Sequence, residues 1–160
     1  MIARPAVAAA GAARAAVALA ATLIALAAAA QPPDLGASRA RWKAAALASY
    51  EYGYRKYCEC HPESPPETVV TVRNGAVVGV RHRPVDSVQE VPAEARNFRY
   101  YWTIDDLFDL LRAAFERDAA VRASYDASLG YPTELHIDYD LSFIGDEVDL
   151  ELTRVTAISP

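Results

Sequence analysis

The sequence predicts a single α+β domain, in which an antiparallel β-sheet of about six strands has two helices packed on one face. Three observations predict this class. The elements follow the order helix, three strands, helix, three strands; an Asn-Gly pair joins two β-branched runs; and the last two strands alternate apolar and polar residues. Such alternation is typical of an antiparallel sheet with one buried face and one solvated face.

A leader precedes this domain, and residues 1–30 are expected to be a signal peptide. Seventeen of these residues are alanine, and Arg4 and Arg14 provide a positive start. The uncharged run that follows is weakly apolar and of borderline length for a spanning helix, which needs about 20 apolar residues. Ala28 and Ala30 fit the small-residue rule for cleavage. A retained anchor is the alternative, and cleavage would leave a secreted, periplasmic or cell-envelope protein without stable membrane insertion.

The rest of the chain has the length of one domain. Residues 31–37 contain two prolines and a glycine and are expected to form a linker. Residues 38–160 are expected to form the domain, because about 130 residues suffice for one hydrophobic core and are too few for two ordinary ones.

The charge of the chain limits its partners. Once Arg4 and Arg14 leave with the leader, 14 basic residues face 21 acidic ones, a net charge of −7. This balance argues against nucleic-acid binding, which needs a basic surface. The sequence also contains no phosphate-binding glycine loop, zinc-finger spacing or nucleophile elbow. We therefore expect no cofactor and no nucleic-acid partner. The default expectation is a monomer that binds a protein or a small-molecule ligand.

The domain is expected to open with a helix followed by a strand. Alanines, Trp42 and Leu47 favour a helix over residues 38–49. Over residues 50–58, tyrosines alternate with Glu51 and other non-aromatic residues, which is the period of a half-buried strand.

A β-hairpin is predicted over residues 68–73 and 76–82. Asn74-Gly75 lies between these β-branched runs and is a strong signal for a two-residue turn. Valines occupy both faces of the hairpin, which predicts a central position in the sheet. The register that follows from a two-residue loop is Val72 with Val77, Val70 with Gly79, Val69 with Val80, and Glu67 with His82.

The second half repeats the pattern of a helix followed by strands. Residues 84–102 show no clean period, and Thr103 is expected to cap the second helix with acidic residues in its first turn. The helix carries one apolar stripe, formed by Ile104, Leu107, Phe108, Leu111, Ala114 and Phe115. Three strands are predicted at about 120–125, 133–140 and 147–157.

Two cysteines lie close together at the end of the first strand. In an oxidising compartment, Cys58 and Cys60 are expected to form a local disulfide. Two alternatives stay open: a metal site made of Cys58, Cys60 and His61, and a redox-active dithiol. The spacing is not a standard zinc pattern, and the usual redox motif opens a helix rather than closing a strand.

Four of the nine tyrosines crowd the first strand. Tyr50, Tyr52, Tyr54 and Tyr57 would form a row of rings that a sugar, a peptide or a partner protein could bind. The alternative is that Tyr50, Tyr52 and Tyr54 share one face and pack under a helix, with their hydroxyl groups at the rim.

Carboxylates are frequent between residues 138 and 151. Asp138, Asp140 and Asp146 are candidate ligands for a metal such as calcium, which prefers clustered carboxylates. Asp138 and Asp140 are also a candidate acid and base pair for a hydrolase. The alternative is that alternating acidic residues simply solvate the open face of a strand.

Motifs spread along the chain resemble a known family. They are Trp42, Ser49-Tyr50-Glu51-Tyr52, Cys58-Glu59-Cys60, Asn74-Gly75, Thr103-Ile104, Leu107-Phe108, Tyr125-Asp126, Gly130-Tyr131-Pro132 and Ile137-Asp138. In this order and spacing the set resembles a bacterial domain-of-unknown-function family, numbered 6174, over about residues 40–156. The resemblance implies an exported location and a single compact domain. Members are often lipoproteins, but the lipobox cysteine is missing here, and the resemblance implies no activity for any residue.

Three functional hypotheses follow. The first is a non-enzymatic binding or interaction domain of the envelope or the secreted space. The second is a thiol or metal protein that uses Cys58, Cys60 and His61. The third is a hydrolase that uses carboxylates of residues 138–151.

Overall fold

The computed structural model describes residues 33–57, 67–83 and 89–159. The predictions for the leader and for Cys58, Cys60 and His61 lie outside these residues. A 3₁₀ helix, Ala95–Tyr100, precedes the second α-helix. The helices are α1 (Pro33–Ala45) and α2 (Ile104–Phe115), and the strands are β1 (Ser49–Tyr57), β2 (Glu67–Arg73), β3 (Ala76–Arg83), β4 (Val91–Pro92), β5 (Ala120–Tyr125), β6 (Pro132–Asp138) and β7 (Val148–Ala157).

The described strands form one antiparallel sheet in the order β4-β3-β2-β1-β7-β6-β5. The fold is therefore α+β, as predicted, but the sheet has seven strands instead of about six. The additional strand is β4, which has two residues and lies in the stretch without a clean period. Its second residue is Pro92, which has no backbone N–H to donate to a ladder, so β4 cannot extend far.

The predicted register of the hairpin is correct only next to its turn. Val72 pairs with Val77 as expected, but Val70 pairs with Val80, not with Gly79. A β-bulge adds one residue to β3, and every later pair shifts by one. The shift places Val80 in the core, where it is 2% exposed, and the gain from burying its side chain accounts for the bulge. The remaining predicted pairs are wrong for the same reason: Val69 pairs with Arg81, Thr68 with His82, and Glu67 with Arg83.

Helix α1 begins earlier than predicted. It starts at Pro33, so residues 33–37 of the expected linker form its first turns. Proline suits the first position of a helix, because its missing N–H would have no partner there. Leu35 is 2% exposed and belongs to the core, which holds these first turns against the sheet.

Both helices contribute to one hydrophobic core on one face of the sheet. The apolar stripe of α2 is confirmed, and Thr103 caps the helix in a reciprocal arrangement with Asp106. Neither described helix has the length and apolar character that a membrane crossing requires. The buried core side chains include Leu35, Trp42, Tyr50, Tyr52, Tyr54, Val70, Val72, Val80, Ile104, Leu107, Phe108, Leu111, Leu135, Ile137, Leu150 and Leu152.

The two helices pack differently on this face. Helix α2 contacts β5 and β6, whereas α1 lies against the start of β1 and against α2. Trp42 meets the Tyr50 ring edge-on, with centroids 5.1 Å apart, and its indole N–H donates to Asp105 at 3.3 Å. Gly130, with φ of 81°, lets the chain after β5 approach α1, because a Cβ there would lie 2.9 Å from that of Arg41. This arrangement leaves the opposite face of the sheet without a helix among the described residues.

Candidate functional site

The face of the sheet opposite the helices is polar, and we call it the open face. Along β1, Tyr50, Tyr52 and Tyr54 enter the core, so Glu51 and Gly53 point the other way. Several open-face side chains make ordered contacts in two places: over β1, β2 and β3, and over β5, β6 and β7.

Five charged side chains form the first group, which we call the Arg–Glu network. Arg81 donates to Glu90 at 2.5 Å and to Glu51 at 3.1 Å. Arg83 donates to Glu67 at 2.5 Å and to Glu90 at 2.7 Å. The two guanidinium groups therefore share three carboxylates, and Glu90 bridges them. Each member restricts its neighbours, so the network presents a fixed arrangement of charge.

Hydrogen bonds within the network favour the ionised forms of Glu51, Glu90 and Arg81. The hydrogen bonds from Arg81 and Thr71 hold the pKa of the Glu51 carboxyl below its usual value. Those from Arg83 and Arg81 lower the pKa of Glu90 in the same way. In return, the hydrogen bond to Glu51 is the main cause that raises the pKa of Arg81.

Glu67 occupies the centre of the open face because residue 53 is glycine. The Glu67 side chain is 13% exposed, and its Oε1 accepts a hydrogen bond from the Thr153 hydroxyl at 2.6 Å. A Cβ at Gly53 would lie 2.5 Å from that Oε1 and would also collide with the Thr153 hydroxyl. The β1–β7 register shifts at this point, which leaves Thr153 as the extra residue of a bulge. The Glu67 side chain thus connects β2 to β7 by passing over Gly53 of β1, where there is no side chain in its way.

A hollow of about 230 Å³ lies beside this contact, and we call it the Gly53 hollow. Members of the Arg–Glu network form one wall, and Arg154 and Thr156 of β7 form another. Arg154 is exposed, and within the described part of the chain it makes no ion pair. The hollow therefore combines two neutralised guanidinium groups with one guanidinium group, that of Arg154, which has no carboxylate partner among the described residues.

A second hollow, of about 410 Å³, lies over β5, β6 and β7 and the end of β1. The Tyr57 hydroxyl donates to Glu151 at 2.7 Å, and this bond raises the pKa of Tyr57. His136 lies 3.5 Å from Asp149. These contacts mostly join side chains in pairs, whereas the Arg–Glu network joins five. The smaller hollow is therefore the better ordered candidate, although the second one is larger.

Of the four tyrosines predicted as a possible row for a ligand, the structure buries three and exposes one. Tyr50, Tyr52 and Tyr54 are at most 6% exposed, and their packing under the helices matches the alternative interpretation. The hydroxyl of Tyr50 accepts from the Ile104 backbone at 2.9 Å, and that of Tyr52 donates to the carbonyl of Trp102. Burial raises the pKa of all three. Of these four tyrosines, a ligand in solvent could therefore reach only Tyr57, which is 39% exposed.

The predicted acidic ligands do not converge. Asp138 accepts from the backbone N–H of Asp140 at 3.1 Å, and Asp140 accepts from Ser142 at 2.6 Å. These are turn contacts between near neighbours, and the second lowers the pKa of Asp140. Across the described ranges, which include Asp146, no three His, Cys, Asp or Glu side chains are grouped to hold a metal ion.

The pKa shifts of the carboxyl groups have one direction. Glu51, Glu90, Asp109 and Asp140 all have lowered pKa values. A general acid or base needs a pKa moved towards neutrality, and these shifts move the carboxyl groups away from it. Of these four residues, Glu51 and Glu90 belong to the Arg–Glu network on the open face, where their lowered pKa values suit fixed negative charges.

Sequence reasoning missed the residues that form this site. Gly53, Glu67, Arg81 and Arg83 were not singled out, because the unbulged register separates Arg81 from Val69 and Arg83 from Glu67. The alternation of Arg81 and Arg83 around His82, together with Glu51 on a neighbouring strand, was the available signal.

Comparisons with known proteins give one result. A family model described as a family of unknown function, DUF6174, matches residues 34–157. No curated protein and no solved structure matches the chain.

Proposed function

Because the chain belongs to the DUF6174 family, whose description names no activity, we propose a function from its own geometry. The protein is an exported, non-enzymatic binding domain, and it binds a carboxylate-bearing peptide segment at the Gly53 hollow. The expected location is the secreted space, the periplasm or the cell envelope.

The observation that carries this proposal is that Arg154, which has no ion pair among the described residues, lies beside the Arg–Glu network in the lining of the Gly53 hollow. A guanidinium group binds a carboxylate through two parallel hydrogen bonds, and Arg154 has no carboxylate of its own among the described residues. Arg81 and Arg83 are already held by their own partners, so binding would not have to order them.

The composition of the hollow also supports a particular kind of ligand. Glu51 and Glu67 line it, so they repel anions and accept hydrogen bonds from N–H groups; a ligand must therefore offer N–H groups to them as well as a carboxylate to Arg154. A peptide segment offers both an N–H group and a carboxylate. The volume of about 230 Å³ lies below the roughly 300–1,000 Å³ of pockets for drug-sized ligands, so one or two residues would fit.

Nuclear magnetic resonance mapping tests this function. The purified protein is titrated with N-acetyl-alanyl-glutamyl amide, whose only carboxylate is on its side chain, and, separately, with N-acetyl-alanyl-glutaminyl amide, which has none. We expect the acidic peptide to shift the backbone amides of Gly53, Arg154 and Thr156, and the glutaminyl peptide to leave them unchanged. Equal shifts with both peptides, or shifts confined to other parts of the molecule, would contradict the proposal.

Export and the cysteines are separate parts of the proposal. Export rests on the alanine-rich leader, and amino-terminal sequencing of the protein from its host would test it; an intact Met1 on cytosolic protein would refute it. An oxidised Cys58–Cys60 pair rests on export, and thiol titration of native and denatured protein would test it. Two reactive thiols that bind zinc stoichiometrically would favour the metal alternative with His61 instead.

We do not propose hydrolysis. Asp138 and Asp140 bond to the backbone or side chains of near neighbours, and nothing in their surroundings supports a role in proton transfer.

A further inference from the structure

The loop between β6 and β7 exposes three large apolar side chains, which we call the apolar tip. Leu141, Phe143 and Ile144 lie within four consecutive positions of this loop, and each is between 62% and 84% exposed. Single exposed apolar residues are ordinary on a protein surface, whereas a group at one place indicates an interaction site. The other exposed large apolar residues of the described chain occur singly, at Tyr57, Val78, Val91 and Tyr100.

The backbone of the apolar tip is hydrogen-bonded within its own loop. The N–H of Phe143 donates to the carbonyl of Asp140 at 2.8 Å, and that of Ser142 donates to the Asp140 carboxylate at 3.0 Å. The N–H of Gly145 donates to the Glu147 carboxylate at 2.8 Å. A backbone N–H that leaves water without a partner is costly, so these bonds allow the tip to enter surroundings that contain little water.

Carboxylates flank the apolar tip on both sides. Asp138 and Asp140 precede it, Asp146 and Glu147 follow it, and residues 138–149 contain no Lys or Arg. These charges are complementary to a surface that presents ammonium groups, and a surface of anionic headgroups would repel them. A phosphatidylcholine headgroup carries a quaternary ammonium group and no net charge.

We propose that the apolar tip inserts into the interface of a phosphatidylcholine bilayer. Apolar side chains at such an interface lie about 5–10 Å deep, at the boundary between headgroups and acyl chains. The flanking carboxylates then remain among the headgroups. Binding of this kind is reversible and does not cross the bilayer, so it agrees with the expected lack of stable membrane insertion. It does not depend on the function of the Gly53 hollow.

Two other occupants fit the apolar tip less well. A second copy of the chain would bring the same carboxylates together, and a stable protein interface takes about 20–30 residues from each partner, far more than the tip provides. A pocket in a partner protein fixes its ligand with placed polar groups, but three N–H donors of this loop already donate within it. A fluid bilayer requires neither a large matching surface nor further hydrogen bonds.

Tryptophan fluorescence tests insertion of the tip. Phe143→Trp places an indole in the tip, and Val78→Trp places one on β3, which two strands separate from β7. With vesicles of brominated phosphatidylcholine, we expect stronger quenching of Phe143→Trp than of the natural protein, whose tryptophans are Trp42 and Trp102. Val78→Trp should be quenched no more than the natural protein.

Partition into phosphatidylcholine vesicles tests which side chains contribute. It is measured on protein without residues 1–30, because the apolar leader could itself bind lipid, and every described element of the fold lies outside the leader. Leu141→Ser and Ile144→Ser should each lower the partition coefficient roughly tenfold. Val78→Ser is the control at an exposed apolar residue outside the tip and should leave it unchanged.

The lipid composition separates the possible occupants. Vesicles that also contain phosphatidylglycerol should bind the natural protein more weakly at low ionic strength, and added salt should reduce this difference. Equal quenching of Phe143→Trp and Val78→Trp, unchanged partition of the tip variants, or stronger binding to the anionic vesicles would each overturn the proposal. A natural protein that binds no vesicles would also overturn it, and would point to a partner protein with an apolar pocket and a basic rim.

Discussion

Replacing Gly53 with alanine is the most informative perturbation of the open face. The new Cβ would lie 2.5 Å from Oε1 of Glu67 and would collide with the hydroxyl of Thr153. Real Cβ atoms do not approach other atoms so closely, so the carboxylate of Glu67 must move. The movement breaks its hydrogen bond to Thr153 and disturbs its ion pair with Arg83.

The expected cost follows from these contacts. A hydrogen bond to a charged group stabilises a fold by about 1.5–3 kcal/mol. The ion pair with Arg83 adds little, because the arginine is exposed and solvent screens the pair. Alanine recovers about 0.5–1 kcal/mol, because glycine loses more backbone entropy in a strand. We therefore expect Gly53→Ala to lower the free energy of unfolding by about 1.5 kcal/mol, the difference between these two contributions.

Urea unfolding measures this change and includes its own controls. A loss of about 1.5 kcal/mol lowers the midpoint of unfolding by about 0.75 M urea for an m-value of about 2 kcal/mol/M. Gly36→Ala is the matched control, because no atom lies within 4 Å of its added Cβ and alanine favours helix α1. In a Glu67→Ala background the cost of Gly53→Ala should fall sharply. A neutral Gly53→Ala, or an unchanged cost without Glu67, would refute this reasoning.

Two further predictions concern the core and the network. Tyr50→Phe removes the acceptor of the buried Ile104 N–H and should lower the free energy of unfolding by about 1–3 kcal/mol. Tyr57→Phe removes an exposed hydroxyl and should change the free energy of unfolding little. Equal effects of the two variants in urea unfolding would contradict this. The lowered pKa values of Glu51 and Glu90 add stability that is fully present above the unfolded value near 4.5 and is lost as pH falls through the folded values. Glu51→Gln should therefore flatten the loss of stability below that pH, and an unchanged acid profile would count against the network.

Much of the fold could be predicted because its signals are local. The stripe of α2 and the alternation in β6 and β7 repeat over whole elements, and burial of the apolar residues then decides which face they occupy. The bulge in β3 had no such signal. Whether Gly79 or Val80 faces Val70 depends on which residue fills the core beside Val70, and the burial of Val80 decides it. The start of α1 at Pro33 has no local signal for a related reason, because the burial of Leu35 in the core fixes the first turn of the helix.

The candidate site depends on contacts between distant parts of the chain. Glu67 and Thr153 are separated by 86 positions, and they meet only because β1 pairs with both β2 and β7 and because residue 53 has no side chain. Alternation in β1 correctly assigns Glu51 to the solvated face, but it does not reveal which residues of other strands lie beside it. The partners of Glu51 and Glu67 on β3 follow from the shifted register.

Calorimetric titration of the acidic peptide into the natural protein and into Arg154→Gln tests most directly whether the Gly53 hollow is a binding site. Loss of a hydrogen bond to a charged group, about 1.5–3 kcal/mol, corresponds to a dissociation constant raised by roughly ten- to a hundredfold. Arg117→Gln removes an exposed arginine beyond the end of α2 and should bind as the natural protein does. Equal affinities for all three proteins would contradict the proposed site.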